Sequence, residues 1–271
     1  MRTTLRSMSA RSTSAHTLTL EAIGVAVDLE ITGADLADAV ERAWVDARTE
    51  GDHDAERPRV TLTVACNDQS ANVTGSDVDE VLHRLSPAVT LAALEARAGE
   101  LILLHAAALA NPETGATAVL VAASGTGKTT ASQAFGTELV YLSDETAGIT
   151  EDGEVLRYRK PLSIVEDGHL KAQIAASERG LSTGEVRGRL AALILLDRSD
   201  TYDRDVVVEP IETVDALALL APQASALART ERPLHRLADV VRMAGGLRRV
   251  RYRESADIVP VISQMLGTPA Q

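Results

Sequence analysis

Aromatic side chains are scarce in this chain of 271 residues. They make up 2% of it, so Ala, Leu and Val must fill the core. A single cysteine, Cys66, excludes a disulfide within the chain, and no Cys/His cluster has zinc spacing. No apolar run reaches the length of a membrane-spanning helix. Positive charge is not in excess either. The formal net charge of −12 argues against a general nucleic-acid binder. Acids are missing from the first 20 residues, which carry Ser, Thr and Arg but no apolar core of a secretory signal. The expectation is a flexible tail over residues 1–16 and a cytoplasmic protein without a membrane partner. Lysine is nearly absent: of the 27 lysines and arginines, only Lys128, Lys160 and Lys171 are lysines.

The remaining sequence divides near Gly99. Residues 17–99 read as an N-terminal α/β domain. Leu18 to Ile31 holds one or two strands around Gly24, and Asp35 to Arg48 has helical spacing with Trp44 as a core residue. A polar loop over Glu50–Pro58 leads to a strand over Arg59–Ala65. Ser76 is placed to cap a helix through Leu85, with His83 on its solvated face, and Pro87 to start a second helix running to about Ala98. Residues 100–271 read as a second domain. Leu101 to Ala110 is apolar except for His105 and reads as one strand; Ala116 to Ala123 follows as the next. Glu138 to Leu142, Leu190 to Leu196 and Leu247 to Tyr252 have the pattern of further strands. Asp152-Gly153 marks a hairpin, and Pro233–Ala244 a helix. Residues 159–189 hold four glycines and read as a mobile segment.

The most informative stretch is the apolar strand ending at Ala123 followed by Ser124-Gly125-Thr126-Gly127-Lys128-Thr129-Thr130. It matches a phosphate-binding loop of the Walker A type, G-x-x-x-x-G-K-[ST], with Ala122 in place of the first glycine. Gly125 and Gly127 permit the backbone angles that turn successive N–H groups toward a phosphate. Lys128 can reach the terminal phosphates, and Thr129 can offer a hydroxyl to Mg²⁺. The plain alternative is a Gly/Thr-rich turn between a strand and a helix. A bound nucleotide also needs acids, to hold the metal and to receive a proton. Asp144 and Glu145 end the strand after the loop helix, and Asp197 ends Leu193-Ile-Leu-Leu; the Asp144–Glu145 pair is the preferred set. His105 is either a satisfied core residue or a group beside the phosphates.

Leu104-His105-Ala-Ala-Ala, Ala123-Ser-Gly-Thr-Gly-Lys-Thr-Thr130 and Leu142-Ser-Asp-Glu145 together resemble the catalytic domain of HPr kinase/phosphorylase, and more closely the shorter HPr-kinase-like proteins. The loop is also similar to that of ATP-dependent phosphoenolpyruvate carboxykinase, which shares that core. The resemblance covers about residues 100–266. It implies an α/β fold, a P-loop kinase core of this type with a smaller N-terminal α/β domain. It implies Mg²⁺ and ATP as cofactors, and an ATP-dependent kinase (a phosphotransferase) acting on a serine hydroxyl of a protein or peptide. Lys128 and His105 then match phosphate-site residues. Thr129, Asp144 and Glu145 match the metal site, one acid of the pair serving as general base. Glu185-Val-Arg-Gly188 resembles a second kinase signature. Glu145 stands where the kinase usually has aspartate, and the arginine-bearing loop that holds HPr is not found. A nucleotide-binding regulatory module, or a slow ATPase, is the alternative. A homo-oligomer is compatible with either.

Overall fold

The computed structural model describes residues 15–49, 57–122, 127–164, 171–203 and 205–267. The chain is a mixed α/β protein with two main sheets. The first is built from β1 (Ala15–Ala22), β2 (Val25–Thr32), β3 (Arg59–Cys66) and β4 (Val73–Gly75), with α1 (Ala34–Ala43) and α2 (Val78–Arg97) packed against it. β1 and β2 form an antiparallel hairpin, while β2, β3 and β4 pair in parallel. Alternation decides the buried face: Val25, Val27, Leu29 and Ile31 are all buried, as are Val40 and Trp44 at the end of α1. β1 begins at Ala15, two residues inside the stretch expected as tail. The loop expected over Glu50–Pro58 lies mainly outside the described residues.

Two expectations in this part need correction. Asp77, not Ser76, caps α2, its carboxylate accepting from the Glu80 N–H at 2.9 Å. The helix then runs through Pro87 without a break. Pro87 is exposed, whereas Leu85, Ser86, Val89, Thr90 and Ala93 hold one buried face across it. Burial of that face outweighs the lost N–H and the crowding of the ring, about 3 kcal/mol in a helix interior. His83 is half-buried, and its Nδ1 is sealed from solvent without a partner.

Among the described residues the second sheet has ten strands. In chain order its elements are β5 (Ile102–Leu104), β6 (Ala106–Ala110), β7 (Ala116–Val121), α3 (Lys128–Ala134), β8 (Val140–Ser143), β9 (Ala147–Ile149) and β10 (Glu154–Leu156). A small ribbon, β11 (Leu162–Ile164) with β12 (Ala172–Ile174), interrupts the series. Then come β13 (Gly188–Arg198), β14 (Val207–Ile211), α4 (Thr213–Leu220), β15 (Ala224–Ser225), α5 (Pro233–Met243), β16 (Leu247–Tyr252) and α6 (Val259–Met265). β7, β13 and β16 are parallel and central, with β6 antiparallel between β7 and β8. Period-two alternation sends Val119, Val121, Leu193 and Leu247 to one side, under α4 and α5. Ala118, Leu120, Ile194 and Val250 go to the other, under α3 and α6. The result is a three-layer stack.

The strand expected over Leu101–Ala110 is two strands. At His105 the chain changes partners, leaving β9 and β15 for β7 and β8. His105 N–H donates to Gln223 O (2.7 Å) and Ala106 N–H to Glu145 O (3.1 Å) across this step. The segment expected to be mobile over 159–189 contains the β11–β12 ribbon.

The two sheets meet closely. Ile23, at the tip of the β1–β2 hairpin, is fully buried with φ 52°. A β-branched residue rarely adopts this conformation. Its N–H donates to Arg157 O at 2.9 Å, and its side chain lies against Gly148, where any Cβ would collide with it. Leu101, Leu103 and Tyr158 complete the core cluster of the first sheet. Among the described residues, no helix is long and apolar enough to cross a membrane.

Candidate functional site

The site forms where β7, β8 and the start of α3 converge. β7 ends at Val121, and the chain re-enters the described residues at Gly127, whose φ of 92° suits glycine. Ser124, Gly125 and Thr126 lie outside the described residues. Lys128 opens α3 and folds back so that Nζ donates to Ala122 O at 3.0 Å. Burial pulls its pKa down, while the charges of Asp144 and Glu145 oppose that shift. Thr129 Oγ1 donates to Asp144 Oδ2 at 3.1 Å, and Thr130 is exposed on the helix.

β8 delivers the acids. Asp144 is 7% exposed, and its Oδ1 accepts from Tyr141 OH at 2.9 Å. Burial and the Asp144 charge drive the Tyr141 phenol well above its usual range, so it stays a donor. Glu145 is half-exposed and pairs with Lys160 Nζ at 2.8 Å. Lys160 is 3% exposed. Burial disfavours its ammonium, but Asp144 and Glu145 outweigh that and its pKa is raised. His105 is half-buried near the same charges. Burial and then the Lys128 charge lower its pKa, against the pull of Glu145 and Asp144, which favours the neutral ring.

No protein-family model matches the chain, and no curated protein does.

The structure thus brings Lys128, Thr129, Asp144, Glu145 and His105 together, while Asp197 and Glu185 are engaged elsewhere. Asp197 accepts from Tyr202 OH at 3.1 Å and lies 3.7 Å from Arg251 Nε. Glu185 is bound by Arg157 and lies 3.6 Å from Arg159 Nη1, in a cleft of about 240 Å³ between the two sheets. Sequence reasoning did not assign roles to Lys160 and Tyr141. Lysine scarcity was a usable signal for the first, since two of the three lysines meet at this one acidic pair.

The donor set suits Mg²⁺. Among the described residues, no group of three or more His, Cys, Asp or Glu gathers as a metal cage. Mg²⁺ does not need one: it is commonly held by one or two carboxylates together with substrate phosphates and water. Thr129 Oγ1 and Asp144 Oδ2 are already neighbours, and both are hard oxygen ligands. Two lysines against two carboxylates leave the cluster near neutral, so a polyphosphate would need to bring a cation with it.

Proposed function

We propose that this chain binds Mg·ATP beside β7 and transfers the γ-phosphoryl to a serine hydroxyl of a separate protein or peptide. Its core would then be a P-loop kinase core of the HPr kinase type, preceded by a smaller α/β unit over about residues 17–99. The observation that carries the reading is the Thr129–Asp144 hydrogen bond next to the buried Lys128. A hydroxyl bonded to a carboxylate lies beside a helix that opens on a buried ammonium, after a buried strand and the sequence Gly-x-Gly-Lys-Thr. Phosphoryl transfer asks for this combination, since its catalysis is mostly positioning and charge stabilisation.

In this reading Ser124–Thr130 cradle the phosphates and Lys128 leaves the Ala122 carbonyl to face the terminal ones. Thr129 and Asp144 would hold Mg²⁺. The metal supplies charge neutralisation on the phosphate oxygens. Tyr141 fixes the Asp144 carboxylate. Glu145, more exposed than Asp144, receives the hydroxyl proton, and neutral His105 adds no charge to the acceptor side. The serine acceptor comes from the family resemblance of the loop and acidic pair.

The test is titration calorimetry with Mg·ATP. Lys128→Ala should weaken binding at least about tenfold, the scale of one lost charge-assisted contact. Equal affinity would remove the loop assignment. Labelled ATP with a host lysate, followed by phosphoserine mapping, then tests the acceptor. Tight ATP binding without any transfer would favour a regulatory module.

A further inference from the structure

We infer that Lys160 is a positioning residue for the transfer proposed above, clamping one oxygen of Glu145 so that the other is presented to the acceptor hydroxyl. The inference rests on that reading of the site.

Lys160 lies outside the loop and the acidic pair, in the irregular run after β10, yet its ammonium reaches Glu145 Oε2 at 2.8 Å. A second contact runs to Pro161 O at 3.3 Å. The backbone that carries it is fixed to β8, the strand that leads into Glu145. Tyr158 N–H donates to Leu142 O at 2.8 Å, and Arg159 Nε donates to Tyr141 O at 3.1 Å. Arg159 also donates to Gly184 O at 2.6 Å. Both ends of the ion pair therefore hang from β8 and move with it. Glu145 itself is held at its carbonyl by Ala106 N–H. Its carboxylate has one oxygen on the lysine and remains half-exposed.

Stability alone does not account for this arrangement. A buried ion pair is often no better than neutral groups of the same shape, although losing one partner is costly. Residue choice adds to the argument. Arginine is this chain's usual cation, whereas the two lysines with compact, single-point charges sit at this one site. In the step itself, the acceptor oxygen bonds to the γ-phosphorus while the bond to the β–γ bridging oxygen breaks. ADP leaves with that electron pair, and the hydroxyl proton passes to Glu145 Oε1. A loose transition state releases that proton late, so where the carboxylate points matters more than how basic it is.

The test is a double-mutant cycle on the full chain, read as phosphoryl transferred from labelled Mg·ATP to host-lysate protein, with kcat and KM for ATP separated. Lys160→Met should lower kcat roughly ten- to a hundredfold and change KM for ATP by less than about threefold. Lys160→Arg should recover part of the loss. In a Glu145→Gln background, Lys160→Met should cost nothing further. Multiplying losses, or an effect on KM alone, would overturn the clamp. Should Lys160→Met fail to fold, Glu145→Gln and the charge-neutral Glu145→Gln/Lys160→Met pair still decide: equal kcat supports the clamp, and a lower kcat in the double variant overturns it. Mg·ATP binding with no transfer to lysate protein by the wild type would overturn both the clamp and the transfer reading, whereas a wild type that transfers with additive losses overturns the clamp alone.

Discussion

The first sheet and the second treat charge in opposite ways. Among the described residues of the β1–β4 unit the buried polar ones are Ser86 and Thr90, both uncharged; ion pairs such as Arg48–Glu41 and Arg84–Glu80 lie in the open, while Arg57–Glu21 is partly covered. In the larger unit Lys128, Asp144, Arg159 and Lys160 are all buried, at three places along the chain that come together by β8. Exposed pairs of the first kind contribute about 0–1 kcal/mol each. Buried charges of the second kind are a burden on stability unless fully paired. The larger unit accepts an electrostatic cost at one place, where perturbed groups most often mark chemistry.

Four substitutions would break or sharpen that contrast. Trp44→Ala, in the apolar core of the first unit, should lower stability by about 3–5 kcal/mol, measured by urea unfolding. A loss under about 1 kcal/mol would mean that the unit is not held by its apolar core. Asp144→Asn should reduce phosphoryl transfer by roughly a hundredfold or more, about 2.7 kcal/mol, while the urea midpoint moves little. Asp197→Asn should change the rate by less than about threefold, because its carboxylate already serves Tyr202, Arg249 and Arg251. The reverse ranking in a transfer assay would move the proposed metal site to the end of β13. The smallest effect is expected at the polar contact between the units. Tyr158→Phe removes the 2.6 Å contact with Thr90 Oγ1, which keeps its bond to Ser86 O. The cost should be about 1 kcal/mol, with ATP affinity unchanged. A large drop in affinity would show that the first unit takes part in the site.

Legibility from sequence followed the range of the forces involved. β16 was readable at both ends, and the β9–β10 hairpin from Asp152-Gly153, because alternation and turn chemistry are local. Continuity of α2 through Pro87 was not, since it depends on a buried face supplied by β2, β3 and β4. The break at His105 was hidden for a related reason: an apolar run looks the same whether it keeps one pair of neighbours or exchanges them. β15, two residues long, exists only through β5. At the site, Lys128, Thr129 and the acids were visible as a motif. The Lys160–Glu145 pair was not, because spacing in the sequence says nothing about which side chains a long excursion brings back.

The hairpin tip at Ile23 also sets an order of events during synthesis. The four strands of the first sheet leave the ribosome early, yet their core lacks Leu101, Leu103 and Tyr158 until those are made. Ile23 likewise waits for Gly148 and the Arg157 carbonyl before its left-handed turn is enclosed. At elongation rates of about 5–20 residues per second, the nascent sheet spends roughly 3–12 s between completion of α2 and arrival of Tyr158 with an apolar face open. During that interval it is a client for whatever holds unfinished chains, and a message truncated after Arg97 would leave that face uncovered for the life of the product.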